Sequence, residues 1–140
     1  MLTGIGTGPI NANLKAGASA GLSGLVLKAD GTNTVALCDG VSDTPLGITI
    51  ESSQRDKDDA LVTGGRVSYM PSGGVLYIRA DAATYVVGET IELTATGTGK
   101  NTSGTGTVLG VYVGPGEVIS AANVAANENL ILVNTNNAGW

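Results

Sequence analysis

Few side chains in this sequence could do chemistry, and their spacing removes most mechanisms. There is no His in the 140 residues, so a Ser-His-Asp or Cys-His nucleophile has no base, and the commonest metal ligand is missing. Cys38, the sole cysteine, ends an apolar run and reads as a small buried side chain rather than a nucleophile. Asp56, Asp58 and Asp59 are close enough in sequence to surround a hard cation. Arg55 and Lys57 interrupt them and the Asp-x-Asp-x-Asp-Gly order is absent, so a solvated charged loop is expected. Gly99-Lys100 falls short of a phosphate-binding loop twice: Thr94 stands where the first glycine belongs, and Asn101 where Ser or Thr would hold Mg²⁺. A glycosidase built on paired carboxylates would want aromatic rings to stack sugar, and four Tyr and one Trp leave little for that. Tyr69 and Tyr77 lie in strand-like runs. The expectation is a protein that is not an enzyme, with no catalytic residue, metal or cofactor.

Composition says what must position these residues. Hydrophobic residues are 42% of the chain but aromatics only 4%, with no Phe, so the core has to come from Val, Leu, Ile and Ala. Alternating with Thr and Ser, those residues fill strands. Twenty-two glycines, spread without a fixed period, call for many tight turns. Seven Lys plus Arg against twelve Asp plus Glu give a net charge of -5 with no basic cluster, which disfavours nucleic acid as a partner. Charged residues are only 14% of the chain, a low share for a fully wetted surface, and point to a surface covered by partners. One cysteine means no intrachain disulfide, compatible with synthesis in a reducing cytoplasm. The first nine residues lack the basic start and apolar core of a secretory signal. No apolar run approaches membrane-spanning length, so a soluble protein with no membrane partner is expected.

Three segments follow. Residues 1–22 space Leu2, Ile5, Ile10, Leu14 and Leu22 among small polar residues, with Pro9 between them. That is too sparse to fold alone, and reads either as a disordered tail or as an extended N-terminal arm lying on a neighbour. Residues 23–135 form a single all-β domain. Leu25–Ala29 and Thr34–Cys38 make a hairpin around Asp30-Gly31, and strands are expected at Leu46–Glu51, Arg66–Met70, Val75–Arg79, Thr90–Thr96, Thr107–Val113 and Leu130–Asn134. The polar run 52–59 and the Gly/Thr run 97–106 read as exposed loops, and Ala80–Tyr85 could form one helical turn. Short strands without helical periodicity argue for a small barrel or compact sandwich. Residues 136–140 are a tail ending in Trp140, either a loose end or an anchor for a partner.

Two phrases recur in the same order. Leu25–Gly31 matches Ile91–Gly97, and Leu46-Gly47-Ile48 matches Leu109-Gly110-Val111. Aligning Gly31 on Gly97 makes one connecting loop about three residues longer, and the pattern predicts two related halves. A strand glycine marks a bulge, a bend or a close backbone approach, so both halves should bend at Gly47 and Gly110.

With its Gly/Ala/Thr-rich arm, its two β halves and the Val87-Gly88-Glu89 turn before a strand, the chain resembles the head decoration, or capsid cement, proteins of tailed bacteriophages. The likeness covers about residues 22–134. It implies a β-barrel or β-tulip-like subunit, commonly a homotrimer, on the outer surface of the expanded capsid of a virion, tying neighbouring major capsid proteins together. The arm residues Leu2, Ile5, Pro9, Ile10 and Leu14 would then meet the capsid lattice. The rival reading is a carbohydrate-binding or adhesin β module of a phage tail or cell surface.

Overall fold

The computed structural model describes residues 9–16, 23–50, 64–101, 104–115, 128–136 and 138–140, and every regular element among them is a strand. The ten strands are β1 (Ile10–Leu14), β2 (Val26–Ala29), β3 (Thr34–Leu37), β4 (Gly47–Thr49), β5 (Arg66–Met70), β6 (Val75–Asp81), β7 (Thr90–Leu93), β8 (Gly99–Lys100), β9 (Val108–Pro115) and β10 (Glu128–Asn134). They close into two five-stranded barrels, in the orders β1-β3-β2-β4-β5 and β6-β8-β7-β9-β10. Closure leaves neither barrel an unpaired edge, which suits a chain with few lysines to protect one.

The barrels are copies of one another strand for strand. In each, the first strand runs parallel to the third and antiparallel to the fifth, and the second pairs antiparallel with the third and fourth. Registers agree residue by residue. Leu27 faces Gly47 as Ile91 faces Gly110, Tyr69 faces Thr49 as Val133 faces Tyr112, and Ala29 faces Val35 as Leu93 faces Gly99. Outside the ladders the match continues. Gly24 N–H donates to Thr49 O while Thr49 N–H donates to Leu25 O, and Gly88, Tyr112 and Glu89 repeat the pattern.

This register places Asn33, not Gly31, on Gly97. Both are left-handed, with φ of 63° and 75°, and the Asp30 N–H to Thr34 O bond matches Thr94 N–H to Thr98 O. The alignment read from the sequence is therefore out by two residues, and the connecting stretches differ by one residue rather than three. Two is the side-chain period of a strand, so the slip preserves the alternation of faces and cannot be detected from hydrophobic pattern.

Of the readings open to a strand glycine, close approach of a neighbouring strand holds at both Gly47 and Gly110. A Cβ on Gly47 would lie 2.6 Å from Met70 O and run into the Tyr69 ring; one on Gly110 would lie 2.7 Å from Val133 Cγ1 and run into Asn134 O. The fourth strand of each barrel passes hard against the fifth. At Gly110 the β7–β9 register also shifts, making a bulge.

Inside the first barrel Leu14, Leu27, Val35, Val67 and Tyr69 form the core, with Ala12 and Leu37 against it. Inside the second, Ile78, Ala80, Ile91, Leu93, Leu109, Ile131 and Val133 do so. Matched positions trade volume: Ala12 for Ile78, Leu14 for Ala80, Val35 for Gly99 and Tyr69 for Val133. Each interior thereby fills with a different set of side chains.

Three expectations are corrected. The described part of the expected arm is not an extension: Ile10–Leu14 is β1, paired with β5 on one side and β3 on the other, with Leu14 in the core. The run 97–106 contains β8, and Thr98 is buried at 1% exposure. Ala80 and Asp81 continue β6 rather than starting a helical turn. The backbone of β1 and of the end of β6 is paired by strands far along the chain, and β8 is held between its hairpin partner β7 and the parallel β6. The expected domain 23–135 consists of two barrels that share a packed boundary, the first of which needs residues 10–14 to close.

Candidate binding surface

The boundary between the barrels is made by dissimilar faces. The first barrel offers the outer side of β2 and β4, where Val26 and Ile48, together with Cys38, are buried in the second barrel's hydrophobic cluster. The second offers β6, β10 and the loop between β7 and β8. Arg79 N–H donates to Gly24 O at 2.7 Å, Val26 N–H to Gly97 O at 2.8 Å and Thr107 N–H to Val41 O at 2.8 Å. The Arg79 guanidinium, fully buried, donates through Nε and Nη2 to Ser23 O at 3.3 and 3.2 Å.

Beside this boundary the outer face of the second barrel is apolar and open. Val75 (51% exposed) and Tyr77 (39%) lie on β6, Leu132 sits across from Tyr77 on β10, and Val111 and Val113 continue the surface on β9. The face runs into a groove of about 240 Å³ where the barrels meet, lined by Ile48, Ile50, Met70, Val75, Tyr77 and Leu130. Sequence reading assigned these residues to strands without seeing that their outer sides are contiguous. The available signal was apolar residues at adjacent or alternate positions that an inward face alone could not use.

The sequence-predicted contact residues do not form one site. Leu2 and Ile5 lie outside the described residues. Pro9 and Ile10 are exposed at the start of β1, whereas Leu14 fills the first barrel. Trp140 packs against the second barrel's own core and donates Nε1–H to Leu109 O at 2.9 Å, while its carbonyl accepts from Ser72 Oγ. The C-terminus is thereby tied to the turn that joins the barrels, where Thr135 N–H also donates to Gly74 O. Asp56, Asp58 and Asp59 lie outside the described residues. Gly99-Lys100 is strand β8, with a Cβ on Gly99 only 2.8 Å from Ile91 Cγ2, so its backbone faces a core rather than a phosphate.

Several ionisable groups are held by ion pairs or by backbone and side-chain hydrogen bonds. Lys28 Nζ bridges Asp39 and Asp43 at 2.5 and 3.2 Å, and the hydrogen bond to Asp39 raises the lysine above its ordinary range. Asp43 accepts from the backbone N–H of Asp39 and Gly40, which lowers its pKa, with Lys28 adding to the effect. Glu89 is lowered first by the Val86 N–H and then by Asn101 Nδ2. Burial raises Cys38 to about 12, reinforced by Asp43, so the group is a neutral thiol. Tyr85, stacked at a tilt on Tyr112 with centroids 5.5 Å apart, is likewise raised to about 12 by burial, then by Asp81 and Glu89. Such an arrangement holds loops; among the described residues no thiol is shifted toward thiolate and no carboxylate is shifted upward.

No family model matches the chain, and no curated protein matches it.

Proposed function

We propose that this chain is a structural protein of a virion that binds the outer surface of the mature capsid and cements neighbouring major capsid proteins, acting as a homotrimer. One observation carries the reading: the apolar face formed by Val75, Tyr77, Leu132 and Val113, opening into the groove between the two barrels. An exposed apolar surface on an otherwise closed fold marks a place where another protein sits. A cement protein stabilises by binding one state of the lattice more tightly than others, which requires a shaped surface and no reacting group. Repetition around a symmetric trimer multiplies weak contacts into avidity. The resemblance to head decoration proteins supplies the partner, and the low charge content agrees with a surface spent on contacts.

The test is co-sedimentation with empty expanded heads and with unexpanded heads. Saturable binding confined to expanded heads is expected, and the double variant Val75→Asp/Tyr77→Asp should lose it while keeping its far-UV circular dichroism. Deleting residues 1–8, which spares β1, measures what the leading segment adds. Retention on a glycan array with no binding to either head form would overturn the proposal in favour of the adhesin module.

A further inference from the structure

The two copies differ at the end that carries the turn between their second and third strands. In the second barrel that end is closed: Ile78, Leu93 and Leu109 are fully buried, and Trp140 packs against that core with its indole N–H on Leu109 O. The first barrel has Ala12, Ala29 and Leu46 at the same three places. Ala29 is exposed there, and Leu46 is 36% exposed. Tyr69, which stands for Val133, restores part of the missing volume and adds a hydroxyl. An opening of about 370 Å³ remains.

Its walls combine a small apolar surface, from Ala12, Ala29, Val35 and Leu46, with the polar side chains of Asn11, Asn13, Asn33 and Arg66. Asn11 Oδ1 accepts from Ser68 Oγ, which leaves its Nδ2 group to donate elsewhere. Among the described residues, Asn13, Asn33 and Arg66 have no side-chain partner. Tyr69 lines the same opening at 6% exposure, and among the described residues its hydroxyl likewise has no hydrogen-bond partner. A buried hydroxyl without a partner carries a desolvation cost that a polar ligand atom offsets. The chain has a net charge of -5, yet no carboxylate among the described residues lines this opening while a guanidinium does, so it is set to receive an anionic group.

We infer that this end of the first barrel is a binding site for a hexuronate, a sugar residue that carries a carboxylate. A single planar guanidinium matches a singly charged carboxylate through two parallel hydrogen bonds, whereas a phosphate dianion calls for more positive charge. Amide side chains both donate and accept, as do the hydroxyls of a sugar ring, so Asn11, Asn13 and Asn33 suit the rest of the ligand. The alanines and Leu46 take the C–H face of the ring. An apolar floor with a few converging polar groups, at the small end of the range for ligand cavities, is what one sugar residue needs. None of these residues lines the groove between the barrels or belongs to the open face of β6, β9 and β10. Sugar binding and the proposed capsid contact are therefore separate, and each can be lost without the other.

The experiment titrates the full, isotopically labelled chain with methyl β-D-glucuronide and follows amide NMR shifts, with methyl β-D-glucoside and inorganic phosphate as comparisons. A ligand this small on an open site should bind with a Kd of about 1 mM, with shifts centred on Asn11–Asn13, Gly31–Val35 and Arg66. The glucoside should bind at least about tenfold more weakly, because it lacks the charge-assisted pair. Arg66→Gln should erase that preference, leaving the two glycosides equal. Ala29→Leu, which copies Leu93 of the second barrel, should abolish binding of both while the amide spectrum stays dispersed. Absence of saturable shifts with the glucuronide, shifts centred elsewhere, equal affinity of the wild type for the two glycosides, or either variant binding as the wild type does overturns the inference. Phosphate binding as tightly as the glucuronide would make this a plain anion site and overturns it as well. If Ala29→Leu fails to fold, Arg66→Gln, at an exposed position, decides.

Discussion

Replacing Gly47 by Ala adds one methyl group at the tightest crossing of the first barrel. An ordinary contact begins near 3.4 Å, so Met70 O, at 2.6 Å from the new Cβ, would have to retreat by about 0.8 Å, and the Tyr69 ring would have to leave its place in the core. Neither group is free to do so. Met70 is paired with Ile48 across the β4–β5 ladder, and Tyr69 is buried among Leu14, Leu27, Val35 and Val67. Overpacking of a filled interior costs about 1–3 kcal/mol, and a backbone obstacle favours the upper half of that range. For a chain of this size about 2–3 kcal/mol lowers the melting temperature by roughly 6–10 °C. The control is Gly114→Ala on β9, where nothing lies within 4 Å of the new atom. There the loss of unfolded-chain freedom should leave stability unchanged or raise it by about 0.5 kcal/mol. Differential scanning calorimetry of both variants checks the argument. Equal shifts would refute it, because glycine would then be required at Gly47 for some reason other than the crossing.

Two further outcomes follow from the ionisable groups. Asp43 binds its proton more weakly in the folded chain than at the ordinary 3.8, so below that value the unfolded chain takes up protons first, and the stability this carboxylate contributes is lost as pH falls. Urea midpoints followed from neutral pH into the carboxylate range should therefore drop less for Asp43→Asn than for the wild type; parallel curves would remove Asp43 from the acid response. Cys38, a buried thiol held near 12, should resist a disulfide reagent at neutral pH in the native chain and react fully in denaturant. Rapid labelling of the native chain would mean that the barrel boundary opens easily.

Much of the fold is legible in local sequence. Strand alternation in Arg66–Met70 and Val75–Arg79, the Asp30–Asn33 turn and the paired Gly47 and Gly110 phrases all follow from neighbours in the chain, because side-chain period and turn geometry are short-range properties. The duplication is legible for the same reason, though its register is not, since a two-residue slip keeps every side chain on its own face. Chain-distant contacts decided the rest. Ile10–Leu14 carries too little apolar surface to declare itself a strand, and becomes one because β3 and β5 satisfy its backbone on both sides. Gly99-Lys100 pairs not only with the neighbouring β7 but also, in parallel, with β6, a contact no local pattern announces. Trp140 is spoken for by Leu109 O, a partner no local pattern names. The exposed face of Val75, Tyr77 and Leu132 exists only once β6 and β10 are side by side. Sequence sets which residues alternate and where the chain turns; which of the two sides of a strand meets water is decided by what packs against it, and that is a property of closure into barrels and of one barrel covering the other.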